Sequence, residues 1–244
     1  MLLVPNRLIA SGFAIDEATT LYGYLAGMAQ PLILLATIPT TSLAVSLVPA
    51  VSEAFTLGDK EGIAKKAAMA MKLCCLITVP AAVGMSVMAE ELSLLLYGTS
   101  KAAVAIMHSG PALWLLGMQQ VTTGVLQGMG KINIPMLNMV CGLVAKVCAV
   151  WFLTNATYNI AGAAWASNIN FGLAALLNIY VLYRFGIKFK WQEIAKVVLA
   201  ASLMGVAAHF GYQVLVQALA HRTLATIGAI GLAAVVYAVL LPCL

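Results

Sequence analysis

The sequence predicts an all-α integral membrane protein of about seven transmembrane helices. Three observations carry that prediction: the composition, a series of apolar runs of spanning length, and the concentration of basic residues in alternate breaks between those runs. Of the 244 residues, 63% are hydrophobic and 9% are charged, whereas an ordinary soluble domain is roughly 45–50% apolar and about 25% charged. A water-soluble fold of this length has too few charges to cover so much apolar surface, so the excess faces lipid.

A spanning helix needs about 20 mostly apolar residues. Six segments reach that length, at 21–50, 67–88, 102–126, 134–153, 160–183 and 197–219, and a seventh runs from 224 to 244. Residues 1–15 are apolar but too short to span, and no basic stretch or small-residue cleavage site marks them as a signal peptide. The expectation is that they are the end of a truncated helix, that the last helix is clipped as well, and that the chain is a fragment. The expected organisation is residues 1–15 as that helix end, 16–186 as the main set of transmembrane helices, and 187–244 as two additional helices.

The breaks between runs are short. Those holding Lys60, Lys65, Lys66, Lys131, Arg184, Lys188, Lys190 and Lys196 alternate with breaks holding only Lys101, Arg222 and Arg7. The positive-inside rule places the first set in the cytoplasm, and it also accounts for the net charge of +5 without nucleic acid as a partner.

Segment 21–50 is longer than a bilayer requires. Its thirty residues would rise roughly 45 Å, and it contains Pro31, Pro39 and Pro49, each of which removes a helix hydrogen bond. Gln30, Thr37 and Thr41 fall near one face by the 100° helical step, which suits a kinked cavity wall; the competing reading is threonine back-bonding in an ordinary membrane helix. Lys146 lies seven residues before Leu153, roughly 10 Å of rise and further than a lysine stem comfortably snorkels, so it is expected to face a cavity and meet an anionic group; the competing reading is partial snorkelling or pairing with a neighbouring helix. Arg7 reads equally as a cavity cation or an interface anchor. Lys72, one turn into its span, is expected to snorkel.

Two polar stripes complete the candidate set: Ser167, Asn170, Ala174 and Asn178 on one helix, and His108, Ala112, Gln119 and Thr123 on another. Each reads either as helix-to-helix glue or as cavity lining. Gly23–Gly27 and Gly124–Gly128 match the small-xxx-small packing pattern. Cys74, Cys75, Cys141, Cys148 and Cys243 lie in apolar runs without paired spacing, which predicts neither a disulfide framework nor a metal site. GVLQGMGK at 124–131 lacks the hydroxyl residue and preceding strand of a phosphate loop. No catalytic constellation or cofactor motif stands out, so the reading is not an enzyme. Asn155-Ala156-Thr157 is read as a chance sequon.

Residues 21–54, LYGYLAGMAQPLILLATIPTTSLAVSLVPAVSEA, resemble the eighth helix of the stage V sporulation protein B family, polysaccharide flippases of the multidrug/oligosaccharidyl-lipid/polysaccharide superfamily. The ending LVPAVSEA, with Pro49, Ser52 and Glu53, is the most specific piece, and LLVPNRLIASG before it is similar to the end of that family's seventh helix. The resemblance implies the C-terminal lobe of a flippase-type helical bundle, multi-pass in the cytoplasmic membrane. It also implies alternating access against a missing N-terminal lobe, with membrane lipids and a lipid-linked anionic glycan as partners. Related lipid II flippases carry an arginine in the equivalent helix, and residues 21–30 hold no basic residue. The alternatives are a cation-coupled multidrug exporter of the same superfamily, which would want membrane-embedded carboxylates, an intramembrane transferase, and an inactive fragment.

Overall fold

The computed structural model describes residues 3–219 and 221–243; the readings of residues 1, 2, 220 and 244, and of the Cys243 side chain, lie outside the described residues. The described chain is helical and runs α1 (Leu3–Ala10), α2 (Ile15–Gly23), a π-helical turn (Tyr24–Ala29), α3 (Gln30–Ala36), α4 (Ile38–Thr56), α5 (Lys60–Val87), α6 (Ala89–Tyr97), α7 (Ala103–Gly128), α8 (Asn133–Leu153), α9 (Asn159–Arg184), α10 (Trp191–Leu219) and α11 (Arg222–Cys243). Six of these, α4, α5, α8, α9, α10 and α11, are long and apolar enough to cross a membrane. The remaining expected span, 102–126, corresponds to α7. Its 26 residues rise roughly 39 Å, enough to cross, but it carries Gln119, Gln120, Thr122 and Thr123 together with several glycines. It tolerates them because it sits in the middle, packed against α4, α5 and α9, and has little surface left for lipid.

The segment expected as one kinked helix at 21–50 is a broken rod from Ile15 to Thr56. The π turn occupies Tyr24–Ala29, and a second interruption falls at Thr37, whose φ of −93° and ψ of −1° leave ideal helix. Pro31 and Pro39 each stand in the first turn of the helix that follows, where the missing N–H costs least. Pro49 lies inside α4.

Two buried clusters divide the bundle along its length. Val51, Met71, Cys74, Val121, Val125 and Leu182 join α4, α5, α7 and α9 in one half. Leu8, Ala18, Leu25, Ile106, Leu113 and Ala163 join α1, α2, the π turn, α7 and α9 in the other. In lipid such contacts stabilise by close packing rather than by escape from water. The basic breaks gather at one end. Lys131 lies over the Phe185 ring, 5.9 Å from its centroid, and Lys66 donates to the Ala50 carbonyl at 2.7 Å. Lys72 pairs with Glu193 of α10 at 2.8 Å; the lysine expected to snorkel reaches toward the basic break and ties α5 to α10 there. At the opposite end Ser11 donates to Thr154 O, and Tyr97 of α6 donates to Met28 O at 2.8 Å. α10 and α11 form a hairpin against α5, and Tyr237 donates to Leu76 O at 3.1 Å.

Candidate functional site

Lys146 lies on the half-buried side of α8. Together with Gln30, Ser109, Ser167 and Phe171 it lines a cavity of about 200 Å³. Among the described residues its ammonium group has neither a carboxylate nor a hydrogen-bond acceptor as partner. One turn earlier, Gly142 lets α8 close on α9: a methyl group there would sit 2.6 Å from the Asn170 carbonyl oxygen. Asn170 points its side chain at that crossing, and its Oδ1 is buried without a partner among the described residues.

The remaining candidates separate. Thr41 lines a second cavity, about 450 Å³ between α4 and α7, with Gln119, Gln120, Thr123 and Gln127. Thr37, 2% exposed, turns inward and donates to Ile33 O at 2.9 Å; the helix interruption at this residue takes it off the face it would share with Gln30 and Thr41. Asn178 is fully buried. Its Oδ1 accepts from Asn138 at 2.8 Å, and its Nδ2 donates to Thr122 and Thr123 at 3.2 and 3.1 Å. It clamps α7, α8 and α9 and lines none of the cavities described here. Arg7 donates from Nε to Trp151 O at 2.9 Å and lies 4.7 Å from the centre of the Trp151 ring, tying α1 to the end of α8 away from the basic breaks. Asn155 Oδ1 is occupied by the Thr157 and Tyr158 N–H groups.

Sequence reasoning missed Gln120 and Gln127. Both fall on the Ser109–Leu116–Thr123 face of α7 at spacings of three, four and seven, so helical periodicity held the signal. It also missed an apolar cavity of about 550 Å³ where α3, α5, α6, α10 and α11 meet, lined by Leu32, Leu76, Met88, Leu92, Met204 and Ile230 among others. That cavity depends on helices far apart in sequence, and no local pattern encodes it.

The MatE family profile matches residues 25–152, from the π turn to the end of α8. The chain belongs to the MatE family. Among MatE-related proteins, stage V sporulation protein B of Bacillus subtilis (strain 168) is 33% identical over 178 residues, which cover 72% of this chain and 34% of that protein. The lipid II flippase MurJ of the same organism is 24% identical over 123 residues, 48% of this chain and 23% of that protein. Among solved structures, a MOP superfamily transporter from Pyrococcus furiosus superposes with a TM-score of 0.61 at 18% identity, covering 88% of this chain and 49% of that one. This MatE chain therefore spans about a third of the length of the first relative and half that of the solved transporter. The family and the apolar helices together make it a multi-pass protein of the cell membrane.

Proposed function

We propose that the chain is one lobe of a transporter that turns a lipid-linked, anionic glycan precursor across the cytoplasmic membrane by alternating access against a second lobe. Lys146 carries this reading. A lysine without a partner, facing a cavity within apolar helices, costs about 2.5–3.5 kcal/mol on insertion scales unless water or an anion meets it. A lipid pyrophosphate supplies such an anion. The apolar cavity beside α10 and α11 has the character a polyprenyl tail needs, and the similarity to stage V sporulation protein B and to a lipid II flippase points the same way. The second lobe is inferred from the share of those proteins that this chain spans. A cation-coupled drug exporter fits less well, because the acids Asp16, Glu17, Glu53, Asp59, Glu61, Glu90, Glu91 and Glu193 all stand at or near helix ends.

The test is Lys146→Met, which keeps most of the stem's bulk and removes the charge. With the chain in lipid nanodiscs and polyprenyl pyrophosphate as the probe, the variant should bind at least about tenfold more weakly, the loss of one charge-assisted contact. Its accumulation in membranes should stay normal. Unchanged binding would remove Lys146 from the substrate site. A joint loss of binding and abundance would make it a structural residue.

A further inference from the structure

The two polar cavities lie on one furrow. Along α7, Ser109 and Leu116 line the Lys146 cavity, and Gln120, Thr123 and Gln127 line the second. At 100° per residue all five fall within roughly 40° of one line. Gln30 and Leu34 of α3 face the first cavity, and Thr41, Val45 and Val48 of α4 face the second. The furrow therefore carries its cation in the half away from the basic breaks. Its amide-rich half begins about one turn beyond Leu116, at Gln119 and Gln120.

The amide half is chemically distinct. Its lining holds Thr41, Gln119, Gln120, Thr123 and Gln127 and no charged residue. Gln120 is held in place: its Oε1 accepts from Thr40 at 2.7 Å and its Nε2 donates to Thr41 at 3.0 Å. Gln119 and Gln127 reach the same space, and among the described residues no hydrogen bond engages their side-chain amides. Glue between helices in this molecule has both ends of its amide used, as in Asn178 and in Gln120 itself, and Gln119 and Gln127 differ from both. The Gln120, Thr41 and Thr123 groups are already bonded, which leaves the amides of Gln119, buried in α7, and Gln127, exposed at its end, free for a polar, uncharged ligand, whose hydroxyl and amide groups accept and donate in the same way.

We propose that this Gln–Thr wall is the subsite for the sugar portion of the transported lipid, with Gln119 and Gln127 as its specificity-determining residues. The inference rests on the flippase reading above and deepens it. Lys146 takes the charged linkage, and the wall reads the neutral sugars, so recognition of charge and of sugar are separable along the furrow.

Two probes test it with the chain in nanodiscs: polyprenyl pyrophosphate, and the same lipid bearing an uncharged disaccharide. The wild-type chain should bind the disaccharide lipid more tightly. Gln119→Leu combined with Gln127→Leu should erase that preference, by up to about tenfold for hydrogen bonds of ordinary strength, and leave binding of the bare lipid unchanged. Gln127→Asn, which keeps the amide, should retain part of it. A wild-type chain that binds both lipids equally, or a leucine pair that keeps the preference or weakens both lipids alike, overturns the sugar subsite while leaving the flippase reading standing. A wild-type chain that binds neither lipid overturns both.

Discussion

Asn178 and Lys146 are both polar residues in apolar helices, yet their surroundings differ completely. Asn178 has spent its hydrogen bonds on α7 and α8, whereas the Lys146 ammonium has no partner among the described residues. Interhelical hydrogen bonds in membranes average about 0.6 kcal/mol and reach about 1.7. Asn178→Ala should therefore lower the stability of the bundle by about 2 kcal/mol, read as a lower midpoint in detergent unfolding, whereas Lys146→Met should leave that midpoint unchanged. Equal midpoints for Asn178→Ala and wild type would mean that the clamp contributes nothing. From sequence Asn178 fits either glue or cavity lining by its helical spacing, whereas Lys146 is placed at a cavity by its depth in the helix alone. Only the neighbours across the helix crossings separate them, and those come from other parts of the chain.

At the scale of helices, apolar run length was enough to find each long helix, including the central α7. What escaped was geometry below that scale. α6 is only nine residues long, the π turn differs from α-helix by hydrogen-bond register alone, and the interruption that hides Thr37 falls beside prolines common in membrane helices. The two small-xxx-small pairs divide for a similar reason. A methyl group on Gly124 would stand 2.6 Å from the Ala44 carbonyl oxygen of α4, whereas Gly27 has nothing within 4 Å. Backbone cannot yield as a side-chain tip does, so Gly124→Ala should force α4 from α7 and cost about 1–3 kcal/mol. Gly27→Ala should be neutral or slightly stabilising. Thermal unfolding of both variants in one detergent compares them directly, and equal behaviour would show that the α4–α7 crossing is loose.

For the whole molecule, the charge asymmetry predicts an orientation. Lys60, Lys65, Lys66, Lys131, Lys188 and Lys190 gather at one end, and the positive-inside rule assigns that end to the cytoplasm. Lys65→Cys should then react with a membrane-impermeant thiol reagent only from the cytoplasmic side, and Lys101→Cys only from outside. Reversed accessibility would invert the topology. Cys141 and Cys148 are exposed on α8, whereas Cys74 and Cys75 are buried, so the first pair should be replaced by alanine before labelling.

The π turn gives length itself a meaning. A π-helical turn arises when one extra residue is accommodated within an α-helix. Removing a single residue from Tyr24–Ala29 would return the rod to plain α geometry with little change of phase, because the wider turn has already absorbed the extra residue. Ala18, now buried in the cluster with Leu8 and Leu25, would keep its place there, whereas the same deletion within plain α-helix would turn it by roughly 100° off that cluster. In this stretch the wider turn is what lets the rod carry one residue more while its two halves stay in phase.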